Sequence, residues 1–429
     1  MNIAEIKEYL LDFQKKELPE LVNRELKIEH SKKIKSVIGP RRAGKTYFMY
    51  QEMKKALKAG KKKENILFLN FEDPRLIDIN FKEIREIIKL HWQLYPKSNP
   101  SIFIDEPQNI NKWELGVRAL YDEGFDLYLS GSSSKLLSKE IATSLRGRTL
   151  SYLILPFSFK EFLKMKKSIF DISTLSSKEK SILLSFLDEY LEFGGFPEVI
   201  LEENKENKIK TLKEYLDMII YKDIVERYNV KNTKLIKWLI NSLITSFSKE
   251  FSVHKIYLTL KSKGVKVSKN TLYSYLSMLE DSFFVFFAQK FNYSIRNREF
   301  SVDKAYLCDI GFAKLLEVSR DKGKKMENAV FLELERKKKS LTEIACWKNA
   351  QQEEVDFVVK QGRKVRQIIQ VCCNIEDLDA KKREIRALIK ASKELKCKDL
   401  LVITEDKEGE EITKKKKIKY IPLWKWLLR

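Results

Sequence analysis

The chain has 429 residues, enough for two or three domains with separate cores, and its 43% hydrophobic and 11% aromatic content excludes a disordered protein. A formal net charge of +22 points to a polyanionic partner, nucleic acid first, although a lysine-rich proteome gives the same surface without any function. Apolar runs such as FFVFFA at 283–288 are too short to span a bilayer, no basic amphipathic helix offers itself to a membrane, and the N-terminus lacks the apolar stretch of a secretory signal.

In chain order, KIKSVIG reads as a strand, GPRRAGKT follows at 39–46, and TYFMYQEMKKALKAG reads as a helix closed by Gly60. The loop fits G-x-x-x-x-G-K-[ST]. From Gly39 through Pro40, Arg41, Arg42 and Ala43 to Gly44, its backbone amides can close around a β-phosphate. Lys45 would neutralise β/γ charge and Thr46 would ligate magnesium. A strand at 64–71, a helix at 81–95 stopped by Pro96, and the strand SIFID at 101–105 come next. That strand ends in Asp105 and Glu106: one carboxylate to hold the magnesium shell, its neighbour to polarise the attacking water. A helix at 112–122 closed by Gly124, a strand at 125–131, a helix at 134–142 and a strand at 149–155 complete the alternation. Buried strands alternating with helices predict a parallel sheet covered on both faces, with its ligand at the carboxyl ends of the strands. The residues call for ATP or GTP.

Beyond the fourth strand, Ser132 can sense a γ-phosphate or simply cap a helix. Arg146 and Arg148 in LRGRT can stabilise transition-state charge from the same end of the sheet, or belong to a surface loop of a basic protein. Glu106 directly after Asp105 resembles the AAA-type arrangement, where the second acid is the catalytic base. The segments GPRRAGKT, NFEDPRL, IFIDEPQNINKWE, LSGSSSKLL, SLRGRT and LPFSFKEF, with GGFPE at 194–198 and DIVERY at 223–228, resemble an archaeal and bacterial family. It consists of AAA-type ATPases with an uncharacterised C-terminal domain. The resemblance covers nearly the whole chain and implies an ATP site built from Gly39, Gly44, Lys45, Thr46, Asp105 and Glu106. It brings no defined physiological task. Nearness to signalling ATPases that couple nucleotide state to a regulatory switch is a further implication.

From about 157 to 228 the apolar spacing is helical and resembles the small lid of such ATPases. Between about 234 and 308 the order changes: helix VHKIYLTLKSKG, a turn at Gly264, a second helix capped by Ser268, then two β-like runs joined by YSIRNR. This reads as a winged helix. Leu272, Tyr275, Leu276 and Leu279 are expected in its core, with Lys269, Asn270, Tyr273 and Ser274 facing out to phosphates and base edges. Winged helices also serve as protein-contact modules. The basic run KKKKIK at 414–419 reads as a solvated hairpin.

From Met326 the order helix, three strands, helix, strand resembles the restriction-endonuclease-like core. Asp356 takes the place of its aspartate, Gln370 that of the Glu/Gln, and Glu327 that of the helix acid, but Cys372 stands where the lysine belongs. Without that cation the hydrolytic water loses its main support, unless Lys348, Lys364 or Lys381 takes over. The five cysteines, Cys308, Cys346, Cys372, Cys373 and Cys397, lack metal-site spacing and suit reduced thiols in a cytoplasm.

The expected α/β architecture is therefore a P-loop NTPase parallel sheet (1–165) with a helical lid (166–232), a winged helix (233–310) and a nuclease-like domain (311–429). The expected function is a magnesium-dependent ATPase acting as a nucleotide-driven switch. It would bind DNA through its basic C-terminal half, form a homo-oligomer in one version, and engage no membrane. The alternatives are an ATP-gated nuclease, which Cys372 argues against, and a signalling ATPase whose C-terminal domains bind proteins.

Overall fold

The computed structural model describes every residue except 1, 133–144, 146, 293, 295–301 and 317–320. Its contacts divide the chain into two units, Met1–Ile154 with Asp281–Phe283, and Leu155–Glu280 with Phe284–Arg429. The expected helix at 134–142, Ser133, Arg146 and nearly all of the YSIRNR loop lie outside the described residues.

The first unit opens with α1 (Ile3–Lys15), whose N-terminus is capped by the Asn2 side chain accepting the Ala4 amide. The alternation then follows as β1 (Ile34–Ile38), α2 (Lys45–Lys58), β2 (Ile66–Asn70), α3 (Glu83–Leu94), β3 (Ser101–Asp105), α4 (Trp113–Asp122), β4 (Leu127–Gly131) and β5 (Thr149–Leu153). The sheet order is β2-β3-β4-β1-β5, with every neighbouring pair parallel. β1 to β4 are short, mostly buried runs because both faces are covered there, whereas edge strand β5 is only partly buried. On one face Phe68 and Phe103 pack with Met49 and Met53 of α2. Lys35 is tolerated in buried β1 because it pairs with Asp126, which also accepts from Ser101 Oγ at 2.7 Å. Register sets Asp105 opposite Ser130 and Ile38 opposite Gly131, so the carboxyl ends of β3, β4 and β1 lie side by side.

The second unit begins with α5 (Phe159–Met165) and α6 (Ser177–Phe193), each started by a reciprocal Ser–Glu cap, Ser158 with Glu161 and Ser176 with Glu179. After α7 (Pro197–Leu201), α8 (Lys205–Met218) runs into a π-helical segment, Ile219–Glu226, where Arg227 pairs with buried Asp223 at 3.1 Å. Next come α9 (Thr233–Thr245), β6 (Lys249–Glu250), α10 (Val253–Ser262), α11 (Lys269–Asp281), β7 (Val285–Ala288) and β8 (Lys304–Leu307). The three strands form an antiparallel sheet in the order β6-β8-β7. Leu272, Leu276 and Leu279 of α11 join Leu239, Leu243 and Leu260 in one core, with Tyr275 only partly buried against it.

The chain ends with α12 (Lys322–Arg336), β9 (Thr342–Lys348), β10 (Glu354–Gln361), β11 (Lys364–Cys372), α13 (Leu378–Glu394), β12 (Leu400–Thr404), β13 (Gly409–Thr413), β14 (Lys416–Pro422) and α14 (Leu423–Leu427). These strands make a mixed six-stranded sheet, β13-β14-β12-β11-β10-β9, parallel only at β11–β12 and β12–β14. The basic run does form a hairpin turn, with Lys414 and Lys415 at φ of 50° and 63°. No helix among the described residues is long and apolar enough to cross a membrane.

Two motifs of the middle region close on each other. Gly194 leaves α6 at φ 79°, and the Phe157 amide donates to the Gly195 carbonyl at 2.7 Å. The Asp309 carboxylate accepts the Gly195 and Gly311 amides at 2.7 and 2.8 Å, while Arg336 Nη2 donates to the Pro156 carbonyl at 2.7 Å. GGFPE and LPFSF are thus two sides of one buried hydrogen-bonded junction. Burial pushes the Asp309 carboxyl up to about 7, against the pull of those two amides.

Candidate nucleotide site

The loop at 39–46 joins the end of β1 to the start of α2, as a phosphate-binding turn requires. Two glycines make the turn possible. Gly39 sits at φ 149°, where a Cβ would stand 1.9 Å from the Ile154 carbonyl oxygen. Gly44 takes φ 91° at the N-cap of α2, and no side chain caps the start of this helix, the end that favours an anion. Buried Lys45 donates to the carbonyls of Gly39 at 3.1 Å and Pro40 at 2.9 Å. Arg41 reaches Glu72 at 3.4 Å, Arg42 is exposed at φ 62°, and the Ala43 carbonyl accepts from Arg24 at 2.7 Å.

The candidate magnesium ligands meet. Thr46 Oγ1 donates to Asp105 Oδ2 at 2.7 Å, and Ser130 donates to the other Asp105 oxygen. Burial, then the charge of Glu106, pushes Asp105 up to about 6, and a cation beside it would oppose both. Glu106 is buried and takes φ 50°, a conformation that turns it out of the β3 line, and its amide donates to the Ser130 carbonyl at 3.0 Å. Its carboxylate accepts from Ser132 Oγ at 3.3 Å and from Gln108. Ser132 therefore stands beside the candidate base. The strand register brings Ser130 to Asp105, and Gln108 reaches Glu106 from the turn that directly follows it.

Arg148 is elsewhere, and the expectation that it lies at the same end of the sheet is corrected. It precedes β5, and its carbonyl accepts the Ile34 amide at 2.8 Å, so it stands at the amino end of the parallel strands. A five-residue strand separates it from the loop, roughly 17 Å at the usual rise. There its guanidinium pairs with Asp122 at 3.5 Å and lies over Tyr121.

A family model described as an AAA domain matches residues 31–163, and two domains of unknown function, DUF8612 and DUF4143, match 185–322 and 322–426. An uncharacterized protein of Methanocaldococcus jannaschii is 41% identical over 416 residues, covering 95% of this chain and 91% of the relative. The chain belongs to this family. A Haemophilus influenzae member, also uncharacterized, is 30% identical over 339 residues, with coverage of 77% and 80%. A solved structure of Drosophila ORC bound to AT-rich DNA and Cdc6 aligns at 12% identity over 73% of this chain and 91% of that one, with a TM-score of 0.20. A score that low establishes no shared fold. In this chain the AAA match covers the loop and the β3 acids, while the DUF4143 match covers Asp356, Gln370 and Cys372.

Elsewhere in the second unit, Lys269, Asn270, Tyr273 and Ser274 are exposed as expected, and Ser268 Oγ accepts the Thr271 amide at 3.0 Å. The nuclease-like residues also converge: Asp356 Oδ2 accepts the Val371 amide at 2.9 Å and Gln370 Oε1 the Asp356 amide at 3.3 Å. The cation beside them is none of the three lysines expected. Lys348 pairs with Glu250 at 2.9 Å and Lys381 with Glu411 at 2.7 Å, whereas Lys304 lies 2.9 Å from Asp356 and 3.0 Å from Glu327. Lys304 and Tyr306 alternate on β8 and so share a face; that spacing was the available signal.

Proposed function

We propose that the protein is a magnesium-dependent ATPase that acts as a nucleotide-driven switch and binds DNA through its basic C-terminal half. The observation that carries the ATPase reading is the 2.7 Å hydrogen bond between Thr46 and Asp105, which brings two hard oxygen ligands together beside a glycine-bounded loop at the start of a helix. Gly39, Pro40, Arg41, Arg42, Ala43, Gly44, Lys45 and Thr46 cradle the phosphates, and Thr46 and Asp105 hold the metal. Magnesium, when bound, neutralises charge on the β- and γ-oxygens. Glu106 takes the proton of the attacking water, and Ser132 orients Glu106 or the γ-phosphate. Arg148, at the far end of its own sheet, serves a neighbouring subunit in a homo-oligomer.

DNA binding draws support from residues 251–279, which hold five lysines and no acid. Lys255, Lys261, Lys263, Lys266 and Lys269 are all exposed. The element order helix, strand, two helices, two strands over 233–310 supports the winged-helix reading, after an ATPase domain at 1–165 and a lid at 166–232. Exposed Leu258 and Val265 in the same segment favour the protein-partner alternative. Fluorescence anisotropy with duplex and single-stranded DNA across a salt series separates the two. DNA binding through phosphates weakens steeply with salt, and the protein-partner reading gains if neither DNA binds.

A further inference from the structure

β8 is the middle strand of its three-stranded sheet, yet it places a lysine, 4% exposed in its side chain, against acids of other elements. Lys304 Nζ lies 3.0 Å from Glu327 Oε1 on α12 and 2.9 Å from Asp356 Oδ1 on β10, with Glu354 at 3.8 Å. Tyr306 OH donates to the same Glu327 oxygen at 2.7 Å, and its ring stacks on Phe331 at 4.1 Å. The second oxygen of Asp356 accepts the Val371 amide, and Gln370 Nε2 donates to Glu384 at 2.5 Å. Three of the four oxygens of the acid pair are thus met by protein donors. Among the described residues no group of three His, Cys, Asp or Glu side chains is arranged to hold a metal ion.

We infer that Lys304 is the resident cation of this cluster: its ammonium occupies the position between Glu327 and Asp356 that a divalent metal would need, and it locks β8 to α12 and the six-stranded sheet. Carboxylate oxygens bind magnesium or manganese at about 2.0–2.2 Å, so an ammonium hydrogen-bonded to both acids and a metal shared by them exclude each other. One buried cation between two buried acids is also a requirement, since an acid pair left without it faces uncompensated repulsion in a poorly solvated place. Burial alone would lower Lys304, but the charges of Asp356 and Glu327 outweigh it and hold the ammonium well above its ordinary value. Burial and Asp356 push Glu327 above the usual carboxyl range. The lock stands on these side chains whatever the ancestry of the domain, and it is independent of the ATPase and DNA readings.

The test compares the full-length wild type, Lys304→Ala and Lys304→Ala/Asp356→Asn without nucleotide, titrated with Mn2+ and followed by thermal melting and by Mn2+ electron paramagnetic resonance. All three share the same ATPase domain, so its own metal affinity cancels. The expected result is one added Mn2+ and a rise in melting temperature for Lys304→Ala only. An Asp356-dependent Mn2+ site in the wild type, or no added site in Lys304→Ala, overturns the inference. If Lys304→Ala does not fold, Lys304→Met is compared with Lys304→Met/Glu327→Gln/Asp356→Asn. Recovery of folded protein in the triple variant supports the lock, and a triple variant no better than Lys304→Met overturns it.

Discussion

The Lys45 ammonium donates to the carbonyl oxygen of Pro40 at 2.9 Å, so the loop's own backbone holds the charge that a phosphate would take. Binding must exchange that contact, and a second one to Gly39, for β/γ oxygens. Lys45→Ala is expected to weaken ATP binding by about 1.5–3 kcal/mol, the worth of a charge-assisted hydrogen bond, or roughly ten- to hundredfold. Glu106→Gln is expected to bind ATP normally and turn it over slowly, because an amide cannot take the proton. Equilibrium binding and single-turnover hydrolysis separate the two. Wild-type turnover by Glu106→Gln removes it as the base.

Gly39→Ala is expected to disturb the same loop without touching a charge. Its Cβ would meet the Ile154 carbonyl at 1.9 Å, and the φ of 149° disfavours any side chain. A loss of roughly 1–3 kcal/mol in stability follows, with weaker nucleotide binding. Urea unfolding checks it, and unchanged stability would contradict the geometry.

Asp309 gives the second unit a pH dependence. Its folded pKa of about 7 lies above the ordinary 3.8, so the native state holds the proton more tightly than the unfolded chain. Its contribution to stability is complete below about pH 4 and is lost as pH rises through 7. Asp309→Asn removes that slope and keeps an oxygen to accept the Gly195 or Gly311 amide. Denaturation curves from pH 4 to 8 show whether the slope disappears, and an unaltered slope assigns it to other groups.

Arg148→Ala is expected to lower turnover with little change in ATP affinity, the signature of a contact made in the transition state. Because Arg148 stands at the amino end of β5, the contact has to come from a neighbour. Mixing Arg148→Ala with Glu106→Gln protein should therefore restore hydrolysis, since one supplies an intact site and the other the arginine. No recovery on mixing, or normal turnover by Arg148→Ala alone, reduces it to the partner of Asp122.

The ATPase sheet was legible because four of its strands are short, mostly buried runs bounded by Gly, Pro or a helix, and all five strands appear where expected, the partly buried edge strand β5 included. The loop and the β3 acids were legible because phosphate and magnesium chemistry demands those residue types at fixed spacing. Arg148 was misplaced although its place before β5 was legible: a residue that precedes a strand of a parallel sheet stands at the amino end, away from a loop at the carboxyl ends. β6 was missed because a two-residue strand has no period to read. Lys304 was missed for a different reason: its partners Glu327 and Asp356 are 23 and 52 residues away, and only the packing of β8 joins them.

A nucleotide-dependent grip on DNA is tested by a DNA titration of one preparation with ATP, ADP and no nucleotide over a salt series. The Glu106→Gln protein holds the ATP state during the measurement. Affinity is expected to differ between the ATP and ADP states and to fall steeply with salt. Lys269→Ala should weaken binding and reduce the salt slope by about one, and Asn270→Ala should weaken it without that change in slope. Binding that ignores both nucleotide and salt, or no binding to duplex or single-stranded DNA, contradicts the claim.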